Sequence, residues 1–287
     1  MIYQFGKIYL YTPLASYELL DATTSQKSNQ IKLLTANVLQ KNEEKNHLVS
    51  LIEKADADLL LFTETDQKWR DAIVEGLSSE YRYRVEIPLD NTYGMLMYSK
   101  FELINPKKRY QVDDSIPSIQ TKLRLPSGDL IEVLAIHPTP PMPQENPKSS
   151  ERDREMMLTA FTARQSDLPV MVIGDFNDVS WSQTTILFQT ISGLLDPRIG
   201  RGFYNTFSAK NPILRWPLDH IFVSPEFRLS SVTVGEKINS DHFPLLATLS
   251  LEPNGASEQT PEPPSEADLK DAKDQMKEND LLDLGID

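Results

Sequence analysis

Cysteine is absent from this 287-residue sequence, which excludes a disulfide framework, a thiol nucleophile and a cysteine-ligated zinc site. Long apolar runs are missing too, and none approaches the ~20 residues that a membrane-crossing helix needs. The opening MIYQFGKIYLYTPLASYELL is too polar, and too broken by Pro13, to serve as the apolar segment of a signal peptide. The chain is therefore expected to be soluble; the cytoplasm is the default compartment, although a cysteine-free composition fixes none. Excess basic charge is lacking as well: 29 Lys and Arg face 42 Asp and Glu, a formal net charge of -13. From Glu252 onward eleven acids face three lysines, so the tail carries -8 and the body only -5. Such a body has no broad phosphate-tracking surface of the kind that gives tight nonspecific DNA binding. A phosphoesterase whose divalent ion supplies local positive charge remains allowed. What is present, 39% hydrophobic and 25% charged residues, is ordinary for a soluble globular protein long enough to bury a full core.

Three regions follow from the pattern. Residues 1–30 lack clear periodicity and form a lead segment ending in the polar connector TTSQKSNQ. Residues 31–251 carry the periodic elements. IKLLTANV reads as a buried strand, and EEKNHLVSLIEKADA places Leu48, Leu51, Ile52 and Ala55 on one helical face. DLLLFTE is a second interior strand, giving a βαβ-like opening. WRDAIVEGL is a short amphipathic helix. Strands are predicted over YRYRVEI, YGMLMYSK, SIQTKLRL and DLIEVLAIH, the last two joined as a hairpin by PSGD. PTPPMPQENP is a surface loop, because its prolines lack donors and forbid a helix; a helix from about Ser149 to Arg164 follows it. LPVMVIGDFND is an interior strand, Ser182–Ile191 a short helix, and LDHIFVS, LSSVTVGE and FPLLATLSL the closing strands. Residues 252–287 are rich in Pro, Glu and Asp and are expected to be disordered.

Chemistry gathers at strand ends. Asn37, Glu64, His137, Asp175 and Asn177 end predicted strands, whereas Asp219 and the pair Asp241-His242 open late ones. With mixed strand directions these ends can share one rim, where sites are built. Carboxylates, amides and imidazoles together suit a hydrolase that binds a hard divalent cation through oxygen and positions a phosphate with neutral donors. The ordered series TANV, FTET, IHPTPP, GDFND, LDHIFVS, SDHFP resembles the endonuclease/exonuclease/phosphatase superfamily, which includes DNase I-like nucleases, inositol-polyphosphate 5-phosphatases and sphingomyelinases. The GD-x-N and S-D-H elements carry the specificity jointly.

That resemblance implies a four-layer α/β sandwich of two packed mixed sheets, DNase I-like, and hydrolysis of a phosphoester by direct attack of water. It implies Glu64 as principal Mg²⁺ ligand (Mn²⁺ being the alternative ion), with Asn37 supporting the metal or the scissile phosphate. Asp175 would orient or deprotonate the water, and Asn177 would donate its amide to a phosphoryl oxygen. His242, polarised by Asp241, would contact the phosphate and act as general acid/base, His137 would be the second phosphate-facing imidazole, and Asp219 would organise His137 or the water network. Leu39 stands where many nucleases of the superfamily carry an acid, which favours one metal ion, and no DNA-gripping arginine is evident. Nucleic acid leads as substrate; a lipid headgroup or small phosphoester is the alternative, and a non-catalytic binding module of the same fold a third. A monomer is expected.

Simpler roles compete for single residues. Asn37 can end its strand in an Asx turn, and the Glu64-Thr65-Asp66 stretch can cap the next helix. His220 reads as a satisfied core histidine, His47 as an exposed helix residue and Asp178 as a turn cap. His137 can be an ordinary loop residue. Arg152 and Arg154 read as a solvated helix face, and Arg215 and Trp216 as loop packing or substrate contacts.

Overall fold

Side chains that alternate between two buried faces in the first strands show how the layers form. A computed structural model describes residues 6, 8–140 and 150–286. In β1 (Gln30–Asn37) and β2 (Leu59–Thr63), Leu33, Leu59 and Leu61 point to one side while Leu34, Leu60 and Phe62 point to the other. Both faces are buried, as expected of paired parallel strands inside a sandwich. The inner face meets Ile131, Val133, Met171, Ile173 and Ile221 of a second sheet. The outer face is covered by α1 (Asn46–Ala55), through Leu48, Leu51 and Ile52, and by α2 (Gln67–Gly76), through Trp69 and Ile73.

The first sheet adds β3 (Tyr83–Ile87), β4 (Met95–Ser99), β10 (Phe227–Val234) and β11 (Leu245–Leu251), in the order β10-β11-β1-β2-β4-β3. The second runs β5-β6-β7-β8-β9: Glu102–Arg109, Ser118–Arg124, Leu130–Ile136, Val170–Asp175 and Asp219–Val223. On its outer face α3 (Ser150–Arg164) and α4 (Gln183–Ser192) bury Met156, Met157, Phe161, Phe188 and Ile191 against Leu134, Val172 and Phe222. The result is the expected four-layer sandwich, with each sheet mixed: β1–β2 and β7–β8 are parallel pairs and every other pairing is antiparallel. No helix among the described residues is long and apolar enough to cross a membrane.

The structure adds to the sequence reading at two places and corrects it at a third. β5 is absent from the predicted strands, and Pro106 within it lacks a ladder donor. It is an edge strand, and a register shift between Ile104 and Lys107 absorbs Pro106 and the positive φ of Asn105, the context in which a sheet tolerates proline. The lead segment is tied in: Leu19 is fully buried between the sheets, and Leu20 and Ala22 exchange backbone hydrogen bonds with Leu229 of β10. The tail expected to be disordered forms a 3-10 turn (Pro253–Glu258), α5 (Glu266–Asp274) and α6 (Glu278–Leu284). Its composition favours solvation, but α3 and α4 supply a surface: Ala272 is buried in their cluster, and Asp280 takes both ends of the Arg154 fork at 2.6 Å. A capping box between Ser265 and Asp268 starts α5. Arg154 is thus an ion-pair anchor rather than a solvated residue. Most of the proline-rich loop, and Ser149 at the expected helix start, lie outside the described residues.

Candidate active site

Strand direction brings the chemistry together. β1 and β2 run parallel with Asn37 opposite Thr63, so Asn37 and Glu64 emerge side by side. β7 and β8 are likewise parallel with Ile136 opposite Gly174, which sets His137 beside Asp175. β9 is antiparallel to β8 and pairs Asp219 with Asp175, so the start of one strand adjoins the end of the other. β11 runs antiparallel to β1 with Leu245 opposite Thr35, which delivers His242 to the same rim. Gly174 makes the β7–β8 approach: its φ is 147°, and a Cβ there would sit 1.9 Å from the Ile136 carbonyl oxygen.

Asp175 is the hub. Its Oδ2 accepts from Asn37 Nδ2 at 2.9 Å and lies 3.8 Å from His137 Nε2 and 3.7 Å from His242 Nε2. The Asn37 amide also donates to Glu64 Oε1 at 2.8 Å, while its oxygen accepts from the Leu39 N–H at 3.0 Å. Asn37 thus closes an Asx turn and bridges two carboxylates at once. Glu64 adopts a left-handed φ of 57°, and Asp66, two residues on, caps α2 by accepting from Trp69 N–H at 2.8 Å. Asn177 is held by two anchors: its N–H donates to Asp175 Oδ1, and its amide donates to the Pro138 carbonyl at 2.9 Å.

The orientation of His242 differs from expectation. Its Nδ1 is 2.8 Å from Asp219 Oδ2, whereas Asp241 accepts from Ser240 Oγ and touches no ring nitrogen of His242. The orienting carboxylate therefore comes from β9, while Asp241 lines the cleft. Asp219 accordingly serves His242, not His137. Burial by itself pushes the His242 imidazolium down, but the carboxylates of Asp219 and Asp175 outweigh it and carry the group up to about 10. Burial in turn raises the Asp219 carboxyl, an effect that the His242 charge opposes. Asp175, Asp219 and His242 present ligand-type atoms within 4.8 Å of one another; with Nδ1 committed to Asp219, that closeness reflects a charged triad more than a metal cage.

Glu64, His137, Asn177, Asp241 and His242 line a cleft of about 520 Å³, walled by Tyr93, Phe207, Trp216 and Leu218, with Asp175 and Asp219 buried beside it. Of those four walls the sequence points only to Trp216, as one of two readings, since aromatic loop residues carry no pattern pointing to a cleft. Arg152 is not the solvated residue expected. It is buried, lines the cleft and donates to the Asn177 carbonyl at 3.1 Å, with Asp178 at 3.6 Å. Its place four residues before buried Met156, on the same helical face, is the available signal. Asp178 does cap: it accepts from Val179 N–H and Ser182 Oγ. His220 is a satisfied core residue, accepting from Arg198 at Nδ1 (2.7 Å) and donating from Nε2 to the Asp178 carbonyl (2.9 Å), and burial holds it well below its usual value.

Solved structures of similar shape carry the same sandwich. A humanized TDP2 of D. rerio superimposes with a TM-score of 0.65 at 15% identity, covering 77% of this chain and 99% of that one. An endonuclease/exonuclease/phosphatase protein of Bacteroides vulgatus gives 0.63 at 19% identity, over 78% and 99%. A mannosyl-6-phosphatase of Bacteroides thetaiotaomicron gives 0.58 at 16%, over 76% and 99%. No curated protein matches this sequence. The model of the Endonuclease/Exonuclease/phosphatase family matches residues 34–242, from β1 to the imidazole beside Asp175. This chain, with the phosphoester-hydrolase fold, belongs to that family.

Proposed function

We propose that the protein is a metal-dependent phosphodiesterase that cleaves by direct attack of water. The observation that carries this reading is the convergence of Glu64, Asp175 and Asp219 with two imidazoles at one rim, with no lysine or arginine side chain paired to any of the three among the described residues. Three carboxylates that meet one imidazolium and no lysine or arginine leave negative charge that fits a hard divalent ion, with Glu64 facing the cleft as its ligand and Asn37 holding that carboxylate in place. When bound, Mg²⁺ or Mn²⁺ supplies positive charge to the phosphoryl oxygens and lowers the barrier by electrostatics.

The chain's own residues do the rest. Asp175, held by Asn37 and the Asn177 N–H, is placed to accept a proton from water. His242, cationic through Asp219, donates from Nε2 to a phosphoryl oxygen, and His137 flanks Asp175 from the other side. Asn177 has one amide N–H spent on Pro138 and a second for substrate. Water becomes bonded to phosphorus as its proton passes to Asp175, the bond from phosphorus to the leaving oxygen breaks, that oxygen takes a proton from solvent water, and a phosphomonoester and an alcohol result. A non-catalytic module has no physical use for such a triad, whose burial costs stability.

Nucleic acid leads the sequence-based expectations. The cleft favours a less charged diester: Arg152 is the one lysine or arginine lining it among the described residues, and Asp153 and Asp178 already engage it. The test is hydrolysis of bis(p-nitrophenyl) phosphate with Mg²⁺ and after EDTA. Activity should vanish with EDTA, return with the metal, and fall by roughly 10²–10³ in Asp175→Asn. Full turnover in EDTA would remove the metal from the reaction; full turnover in Asp175→Asn would remove the base.

A further inference from the structure

Between Phe207 and Asp219 the loop SAKNPILRWPL holds two cations and no acid, in a chain of net charge -13. Its tip is apolar and solvated: Ile213 is 85% exposed and Leu214 54%. The tip is also built. Asn211 Oδ1 accepts from the N–H groups of Ile213 (2.9 Å) and Leu214 (3.0 Å), and Arg215 Nε donates to the Asn211 carbonyl at 3.0 Å. The Arg215 guanidinium lies 4.9 Å from the centre of the Phe243 ring. At the base Phe207 bridges both Trp216 and His242, and its ring is 5.0 Å from the imidazole. One closed loop therefore runs from the site to an aliphatic tip held out in water.

Two aliphatic side chains offer too little area for a stable protein interface, which takes ~800 Å² from each partner. A bilayer sets no such minimum, because each aliphatic side chain that enters it contributes separately. Flanking cations belong with such a tip: Lys210 and Arg215 can stay at the level of lipid phosphates while Ile213 and Leu214 go deeper. Two cations are few for tracking a polynucleotide.

We propose that the Lys210–Trp216 loop inserts into a phospholipid surface, and that the cleft acts on a phosphodiester in the headgroup of a lipid in that surface. The second half rests on the hydrolase reading above; the first does not. Full-length protein and the double variant Ile213→Ser/Leu214→Ser would be sedimented with vesicles of equimolar phosphatidylcholine and phosphatidylglycerol. Headgroup release from the same vesicles would be measured, with bis(p-nitrophenyl) phosphate and a single-stranded oligonucleotide as soluble substrates. The expected result is that wild type sediments, and that the variant binds roughly 100-fold more weakly. The variant should lose headgroup release in parallel while hydrolysing the soluble diester at the wild-type rate. Wild-type protein left in the supernatant overturns insertion. Headgroup release undiminished in the variant overturns the role of the tip, and cleavage of the oligonucleotide without any headgroup release overturns the substrate. Failure of both proteins on the soluble diester would sink the hydrolase reading, while sedimentation still decides whether the loop inserts.

Discussion

Replacing Asp219 by asparagine removes one charge and almost no volume at the contact that sets the state of His242. Both partners are buried, with side chains 6% and 1% exposed, so solvent screens the pair little. Burial lowers His242, but the carboxylates of Asp219 at 2.8 Å and Asp175 at 3.7 Å outweigh it and raise the imidazole above its ordinary value, while burial raises Asp219 in turn. The folded value lies above the unfolded one, so this stabilisation is complete below pH 6.5 and is lost as pH rises through about 10. In Asp219→Asn the imidazole keeps only the more distant carboxylate. At neutral pH the variant should be about 3 kcal/mol less stable, at the low end for breaking a buried pair. Its Tm should fall by about 6–12 °C for a chain of this size. Turnover carries the sharper test. The wild-type kcat profile should hold from neutral pH and decline as pH approaches 10, whereas the alkaline limb of Asp219→Asn should move toward neutrality. Profiles of kcat against pH, with Tm read by scanning calorimetry at the same values, measure both. Superimposable alkaline limbs would refute the claim that Asp219 keeps His242 cationic.

Other perturbations follow from the same geometry. Gly174→Ala places a methyl group 1.9 Å from the Ile136 carbonyl at a φ of 147°; a destabilisation of more than ~4 kcal/mol in chemical denaturation is expected, by splaying β7 from β8. Saturating Mg²⁺ should raise the stability of wild type by about 2.7 kcal/mol at a hundredfold excess over Kd, and Glu64→Gln should lose most of that gain in a thermal-shift titration. Arg154's hydrogen bonds hold the Asp280 carboxyl below its usual range; the contribution is present above the unfolded value and is lost as pH falls through the folded one. Asp280→Ala should therefore speed amide hydrogen exchange in α5 and α6 at neutral pH, and acid should produce the same effect in wild type.

The sequence alone determined the layers and most of what converges at the rim. Runs such as LLTAN and LLLFT, buried on both faces, mark strands inside a sandwich, and polar residues at their ends mark one edge. Pairing and direction lie beyond such a reading. The partner of His242 is 23 positions upstream because β9 runs antiparallel to β8, a long-range fact with no local trace. Arg152 and the tail depart from their sequence-based reading for one shared reason: charge suggests solvent, but a charge meeting a partner on another element is held there, as Arg154 is by Asp280. The aromatic cleft walls and the exposed tip of Ile213 and Leu214 also belong to tertiary structure. Whether an apolar side chain is covered depends on which segments fold over it, and identical residues in a strand would have been core.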